Sequence, residues 1–215
     1  MHIFRWDLDR TYLDTDIHSV RGLIRTALES ATRKRTVPGA TVLLRALVAH
    51  NPDSRVHVLS GSPTQMRKVL LEKLALDGVR VDSLTLKDSV DSLRRGRLRA
   101  VTKQVGYKLP RLLRARRGLG PGVKETLFGD DSESDALIYA AYAEAIAGRL
   151  SPPELARILE AGGAYAESIE LALEALDGVG RADAVEGIFI RVEMGTPIVA
   201  FDCLGGGVTP VFSWW

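Results

Sequence analysis

A single cysteine, Cys203, occurs in the 215 residues. It excludes an internal disulfide and fits a reducing compartment. No apolar run approaches the roughly 20 residues needed to span a bilayer, so no transmembrane segment is expected. Nor is a secretory leader, because strand-like residues begin almost at Met1. Internal repeats and low-complexity tracts are missing too. These absences make the cytoplasm the expected location. What remains is ordinary for a soluble globular chain, with 46% hydrophobic and 26% charged residues. The length suits one domain over residues 1–215, able to bury a full core.

The net charge is only +2, but it is unevenly spread. Residues 87–117 hold eleven Lys or Arg, including Arg94, Arg95, Arg97 and Arg99, against Asp88 and Asp91. The rest of the chain carries 18 basic and 25 acidic residues, a net of −7. Such a segment either attracts phosphates of lipid or nucleic acid, or an acidic partner, or is a solvated helix face balancing the acidic remainder.

Ile3, Phe4 and Trp6 read as a short strand ending at Asp7. Further strands are expected over 56–59, 79–86, 125–128 and 187–192, with short ones over 197–201 and 208–214. Helices are expected over 18–30, 40–50, 64–76, 102–117, 132–147, 153–161 and 165–176. Residues 31–37 read as a loop, and Ser132 or Ser134 is available to cap the helix that follows. Strands alternating with helices predict an α/β protein with a mainly parallel sheet covered on both faces. Ligands of such sheets sit at the carboxyl ends of the strands.

Three polar groups fall at those ends: Asp7 with Asp9, Ser60, and Asp130 with Asp131 and Asp135. Two carboxylates as close as Asp7 and Asp9 imply a cation, a shared proton, or simply an acidic turn. Convergence of three strand ends favours the cation. Carboxylates without histidine or cysteine nearby suit a hard ion, Mg²⁺ above all when phosphate oxygens complete its shell. Together with Lys108, the set fits phosphoryl transfer. Each residue has a plainer role open to it. Ser60 sits in a Ser-Gly-Ser-Pro turn, Lys108 lies among many cations with Lys103 as rival, and Asp131 and Asp135 suit a helix start. His57 and Cys203 are expected to be packed. Trp214 and Trp215 suit a sheet edge, a membrane or a partner.

The order of these residues resembles the haloacid dehalogenase superfamily. Asp7-Leu8-Asp9-Arg10-Thr11 is similar to its DxDxT motif, Leu59-Ser60 to its second, Lys108 to its third and Gly129–Asp135 to GDDxxxD. Within it, Ser60-Gly61-Ser62-Pro63-Thr64-Gln65 resembles the S-x-S-P-x-Q run of actin-patch-type phosphatidate phosphatases, relatives of the lipins. Gly129–Asp135 with Ile138-Tyr139 is similar to their GDSxxxDxxIY, and Ile188–Arg191 to their last strand. The likeness covers about residues 3–192, leaving 193–215 as an extension. Asp131 replaces a usual serine and Arg10 a usual acid.

The resemblance implies a three-layer Rossmann-like fold of sheet order 3-2-1-4-5, with little or no cap and extra C-terminal helices and short strands. It implies Asp7 as nucleophile and Asp9 as general acid and base. Mg²⁺ would be bound by Asp7, the Asp9 carbonyl and Asp130, supported by Asp131 and Asp135. Ser60, Lys108 and Thr11 would hold phosphate. The implied activity is Mg²⁺-dependent phosphomonoester hydrolysis through an aspartyl-phosphate. A crevice without a large cap suits a large or surface-bound substrate, phosphatidate in an anionic membrane first. Phosphoprotein or a nucleic-acid phosphate comes next, and a non-catalytic phosphate-recognition module of the same fold is the reading from another class.

Overall fold

Side chains on β1 (His2–Trp6) alternate between two environments, as the two-residue period of a strand requires. The computed structural model describes residues 1–15, 30–88, 104–205 and 207–215. Phe4 and Trp6 enter a core with Leu44, Val56, Val58, Leu70 and Phe128. Arg5 and Asp7 point the other way, toward Tyr142 and Lys108.

β2 (Arg55–Pro63), β3 (Ser83–Lys87), β4 (Lys124–Asp130), β5 (Val185–Arg191) and β6 (Val208–Val211) join β1 in one sheet. Its order is β3-β2-β1-β4-β5-β6 and every pairing is parallel. The expected order 3-2-1-4-5 is therefore present, with β6 added beyond β5. Helices α1 (Ala40–His50) and α2 (Arg67–Leu76) cover the Phe4 and Trp6 face through Leu44, Leu70 and Leu74. The opposite face lies under α3 (Val105–Arg116), α4 (Asp135–Ala147), α5 (Pro152–Ala161) and α6 (Ala166–Asp177). These are the three layers of a Rossmann-like α/β fold. Strand order reverses at β1, so the crevice falls at the carboxyl ends of β1, β2 and β4.

Several local expectations need correction. Residues 197–201 are not a strand: α7 (Val199–Asp202) lies there instead. Asp131 explains why, because its carboxylate accepts the amides of Glu193, Met194 and Thr196 and folds the chain back before it can extend. Phe201 then turns into the core. β3 starts only at Ser83, since Asp82 spends its amide and carboxylate on Val56. A 3-10 turn, Ala31–Arg33, interrupts the loop expected over 31–37. Neither Ser132 nor Ser134 caps α4 with its side chain. Cys203 is exposed rather than packed, its thiol on the Ala200 carbonyl. The helix expected over 18–30 lies, up to residue 29, outside the described residues. So do Arg94, Arg95, Arg97, Arg99 and Lys103.

Trp214 settles on the β1 face, 5.5 Å from the Trp6 ring and 5.8 Å from Phe128. Its fit depends on Gly39, whose φ of 87° is left-handed and where a Cβ would come 2.9 Å from the Trp214 backbone.

Below the crevice, Arg5 grips Glu125 with a two-pronged bond of 2.9 Å on each arm. Arg116 and the Tyr142 hydroxyl complete the carboxylate's shell at 3.1 and 2.6 Å. Burial pushes the Glu125 carboxyl up, but Arg5, Tyr142 and Arg116 together bring it below its ordinary value. Removing one member of such a dry network strands charges that no water reaches. Glu125→Ala is expected to cost about 3–5 kcal/mol of stability, seen as a lower midpoint in urea denaturation.

Candidate active site

The first turn after β1 is tight. Leu8 O accepts the amides of Tyr12 and Leu13, and the chain reverses at Arg10, whose φ of 61° is the left-handed value that non-glycine residues avoid. Two outside contacts hold this conformation. Arg191 Nη1 donates to Arg10 O at 2.7 Å, and Trp214 Nε1 donates to Thr11 O at 2.9 Å. Asp7 extends the ladder one step past β1, its amide on Phe128 O.

Asp7, Asp130 and Asp135 each bring a carboxylate oxygen within 4.8 Å of the others, and all three are buried. Lys108, in the first turn of α3, reaches among them. Its ammonium donates to Asp7 Oδ1 at 2.7 Å and to Asp135 Oδ1 at 2.6 Å, and lies 3.0 Å from Glu133 Oε2. Thr11 Oγ1 donates to Asp130 Oδ2 at 3.0 Å, and Ser132 binds the other oxygen through its amide and hydroxyl. Gly129 makes this closeness possible, since a Cβ there would meet Asp135 Cβ and Oδ2 at 2.7 Å.

Asp9 sits beside this cluster in a cradle of hydroxyls. Ser60, Ser62 and Thr15 donate to its carboxylate at 3.0, 2.8 and 3.2 Å. The structure thus brings together Asp7, Asp9, Ser60, Lys108, Thr11, Asp130 and Asp135. Asp131 it places apart, turned to the 193–196 loop, whose amides outweigh burial and keep its carboxyl below the ordinary value.

Ser62, Glu133 and Gln104 are the residues that sequence reasoning passed over. Ser62 had a signal: it follows Ser60 by two, so both hydroxyls share a strand face. Glu133 and Gln104, which bond to each other at 3.1 Å, had none. Lys87, at the end of β3, adds a cation 5.3 Å from the Tyr107 ring, and Arg111 stacks on that ring at 4.1 Å. Burial pushes the Lys87 amine down to about 8.

The donor set is all oxygen. Asp7 Oδ2 and Asp135 Oδ2 are buried without a hydrogen-bond partner. Orphaned carboxyl oxygens around one locus fit a divalent cation, which would displace their protons. The class is that of a Rossmann-like α/β fold with buried carboxylates and a lysine gathered at its strand ends. A family model for the catalytic domain of the phosphatidate phosphatase APP1 matches residues 6–151, and the chain belongs to that family. It is therefore a phosphatase domain. No curated protein and no solved structure matches it. Among the described residues no helix is long and apolar enough to cross a membrane.

Without a cation the site is strained by charge. Burial, more than any neighbour, lifts the carboxyls of Asp7, Asp9 and Asp130 above their ordinary value, and that of Asp135 to about 7. These groups keep protons in the native chain that the unfolded chain has lost. Their contribution is full below the ordinary 3.8 and lost as pH climbs toward 7. The chelator-treated protein should therefore melt at a lower temperature at pH 7 than at pH 5. An added divalent cation should restore the melting temperature at pH 7 and change it little at pH 5, as scanning calorimetry would record.

Proposed function

We propose that the protein is a Mg²⁺-dependent phosphatidate phosphatase that works through an aspartyl-phosphate on Asp7. The buried triad of Asp7, Asp130 and Asp135 around Lys108 is the observation that carries this reading. Mg²⁺ would be held by Asp7, the Asp9 carbonyl and Asp130, and when bound supplies positive charge beside the phosphoryl oxygens. Asp135 fixes Lys108, whose ammonium stays charged because Asp135, Asp7 and Glu133 together outweigh its burial.

In the first step an Asp7 oxygen attacks phosphorus while the bond from phosphorus to the glycerol oxygen breaks. Asp9 gives its proton to that departing oxygen, and its raised carboxyl suits a donor. In the second step Asp9 takes a proton from water, whose oxygen attacks phosphorus and releases inorganic phosphate. Asp7 is then free again. Ser60 and Ser62 hold Asp9 in line through both steps. Lys108 neutralises charge as it gathers on the phosphoryl group.

Asp7→Asn is expected to lower Mg²⁺-dependent release of phosphate from phosphatidate by at least about 10³-fold, with an unchanged circular dichroism spectrum. Residual turnover within tenfold of wild type would exclude Asp7 as nucleophile. Asp9→Asn separates the acid from the nucleophile. Phosphatidate leaves as a basic alkoxide, whereas an aryl phosphate leaves as a stable phenolate that needs no proton. The loss in kcat/KM, which reports leaving-group departure and not the shared second step, should therefore be much deeper with phosphatidate than with p-nitrophenyl phosphate, measured side by side.

A further inference from the structure

The sheet edge that carries the site is lined differently on its two flanks. On the β2 and β3 side stand two exposed cations, Arg67, the first residue of α2, and Arg111, stacked on the Tyr107 ring, while Lys87 is buried. Arg67 and Arg111 share the electrostatic neighbourhood of Tyr107. On the β5 and β6 side stand Met194, Phe212 and Trp215, which expose 53%, 67% and 80% of their surface.

Their position is set by bonds already described. β5 ends at Arg191 beside Asp130 of β4, and β6 ends at Val211 beside Arg191. Phe212 therefore follows directly at the carboxyl edge. The Met194 amide is tied to Asp131, and its sulfur takes Arg10 Nη1 at 2.9 Å, one residue from Asp9. Trp215 follows Trp214, whose indole is fastened to Thr11. Single exposed apolar residues are ordinary, but three gathered at the rim of one site mark a surface that meets something apolar.

We propose that this edge docks on an anionic lipid bilayer, with Met194, Phe212 and Trp215 entering the acyl boundary and Arg67 and Arg111 lying against the headgroups. The inference rests on the phosphatidate reading and adds where and how the substrate's surface is met. Cations on one flank and apolar side chains on the other match what an anionic lipid interface offers. The membrane face then presents its phosphates directly to the mouth between the flanks.

The test compares the wild type with the variant carrying Met194→Ser, Phe212→Ser and Trp215→Ser. Partitioning is measured by sedimentation with phosphatidylcholine vesicles containing phosphatidate, and turnover on the same vesicles and on soluble p-nitrophenyl phosphate. The variant should lose at least about tenfold in partitioning and in vesicle turnover while its aryl phosphatase activity stays at the wild-type level. Vesicles with brominated acyl chains should also quench the wild type, and much less the Trp215→Phe protein, because Trp6 and Trp214 are buried. Unchanged partitioning of the triple variant would overturn the proposal. So would a wild-type dimer that the triple substitution turns into a monomer without affecting vesicle binding. If the wild type cleaves no phosphomonoester yet its vesicle binding falls in the variant, docking stands and the phosphatase reading falls. If it cleaves the aryl phosphate and never binds vesicles, docking alone falls.

Discussion

One ammonium group faces more negative charge than it can balance. Lys108 lies within 3.0 Å of carboxylate oxygens from Asp7, Asp135 and Glu133, with Asp130 alongside. Water is kept out, so the imbalance has to be met by protons or by a cation. Each element around the crevice serves to keep this arrangement dry and narrow. β1 and β4 deliver Asp7 and Asp130 side by side, α3 brings the lysine down from above, and Gly129 leaves room for Asp135 to close in.

The halves of the sheet are held by different forces. Under the crevice, Arg5, Arg116 and Tyr142 surround both oxygens of the Glu125 carboxylate, and of this group only Arg116 Nε is buried without a partner. At the crevice, pairing is left unfinished, with Asp7 Oδ2 and Asp135 Oδ2 lacking partners. The first network gives a firm floor, and the second leaves carboxyl oxygens that fit a divalent cation. Both lie on the same sheet face, since Arg5 and Asp7 are two residues apart on β1.

Much of this was legible in the sequence, for a physical reason. Strands that must alternate faces, glycines that must make room and acids at strand ends leave local patterns. The parallel sheet and the cluster of Asp7, Asp130, Asp135 and Lys108 could thus be expected from spacing and motif order. What escaped depends on long-range pairing. Asp131 looks like part of the acidic motif, yet its carboxylate belongs to amides more than sixty positions later, and only the fold shows it. The same contact made 197–201 a helix where a short apolar run had suggested a strand. Glu133 reads as one more charge at a helix start until α3 sets Gln104 and Lys108 against it.

The indole of Trp214 ties β6, at the edge of the sheet, to the main chain of Thr11, and the Thr11 hydroxyl in turn steadies Asp130. An edge strand of four residues is the first place a sheet frays. When it lifts, the latch opens, and the turn after Asp7 loses its fastening while the floor stays intact. Heating would then silence the enzyme some degrees before its helices melt, and cooling would revive it without any refolding of the core.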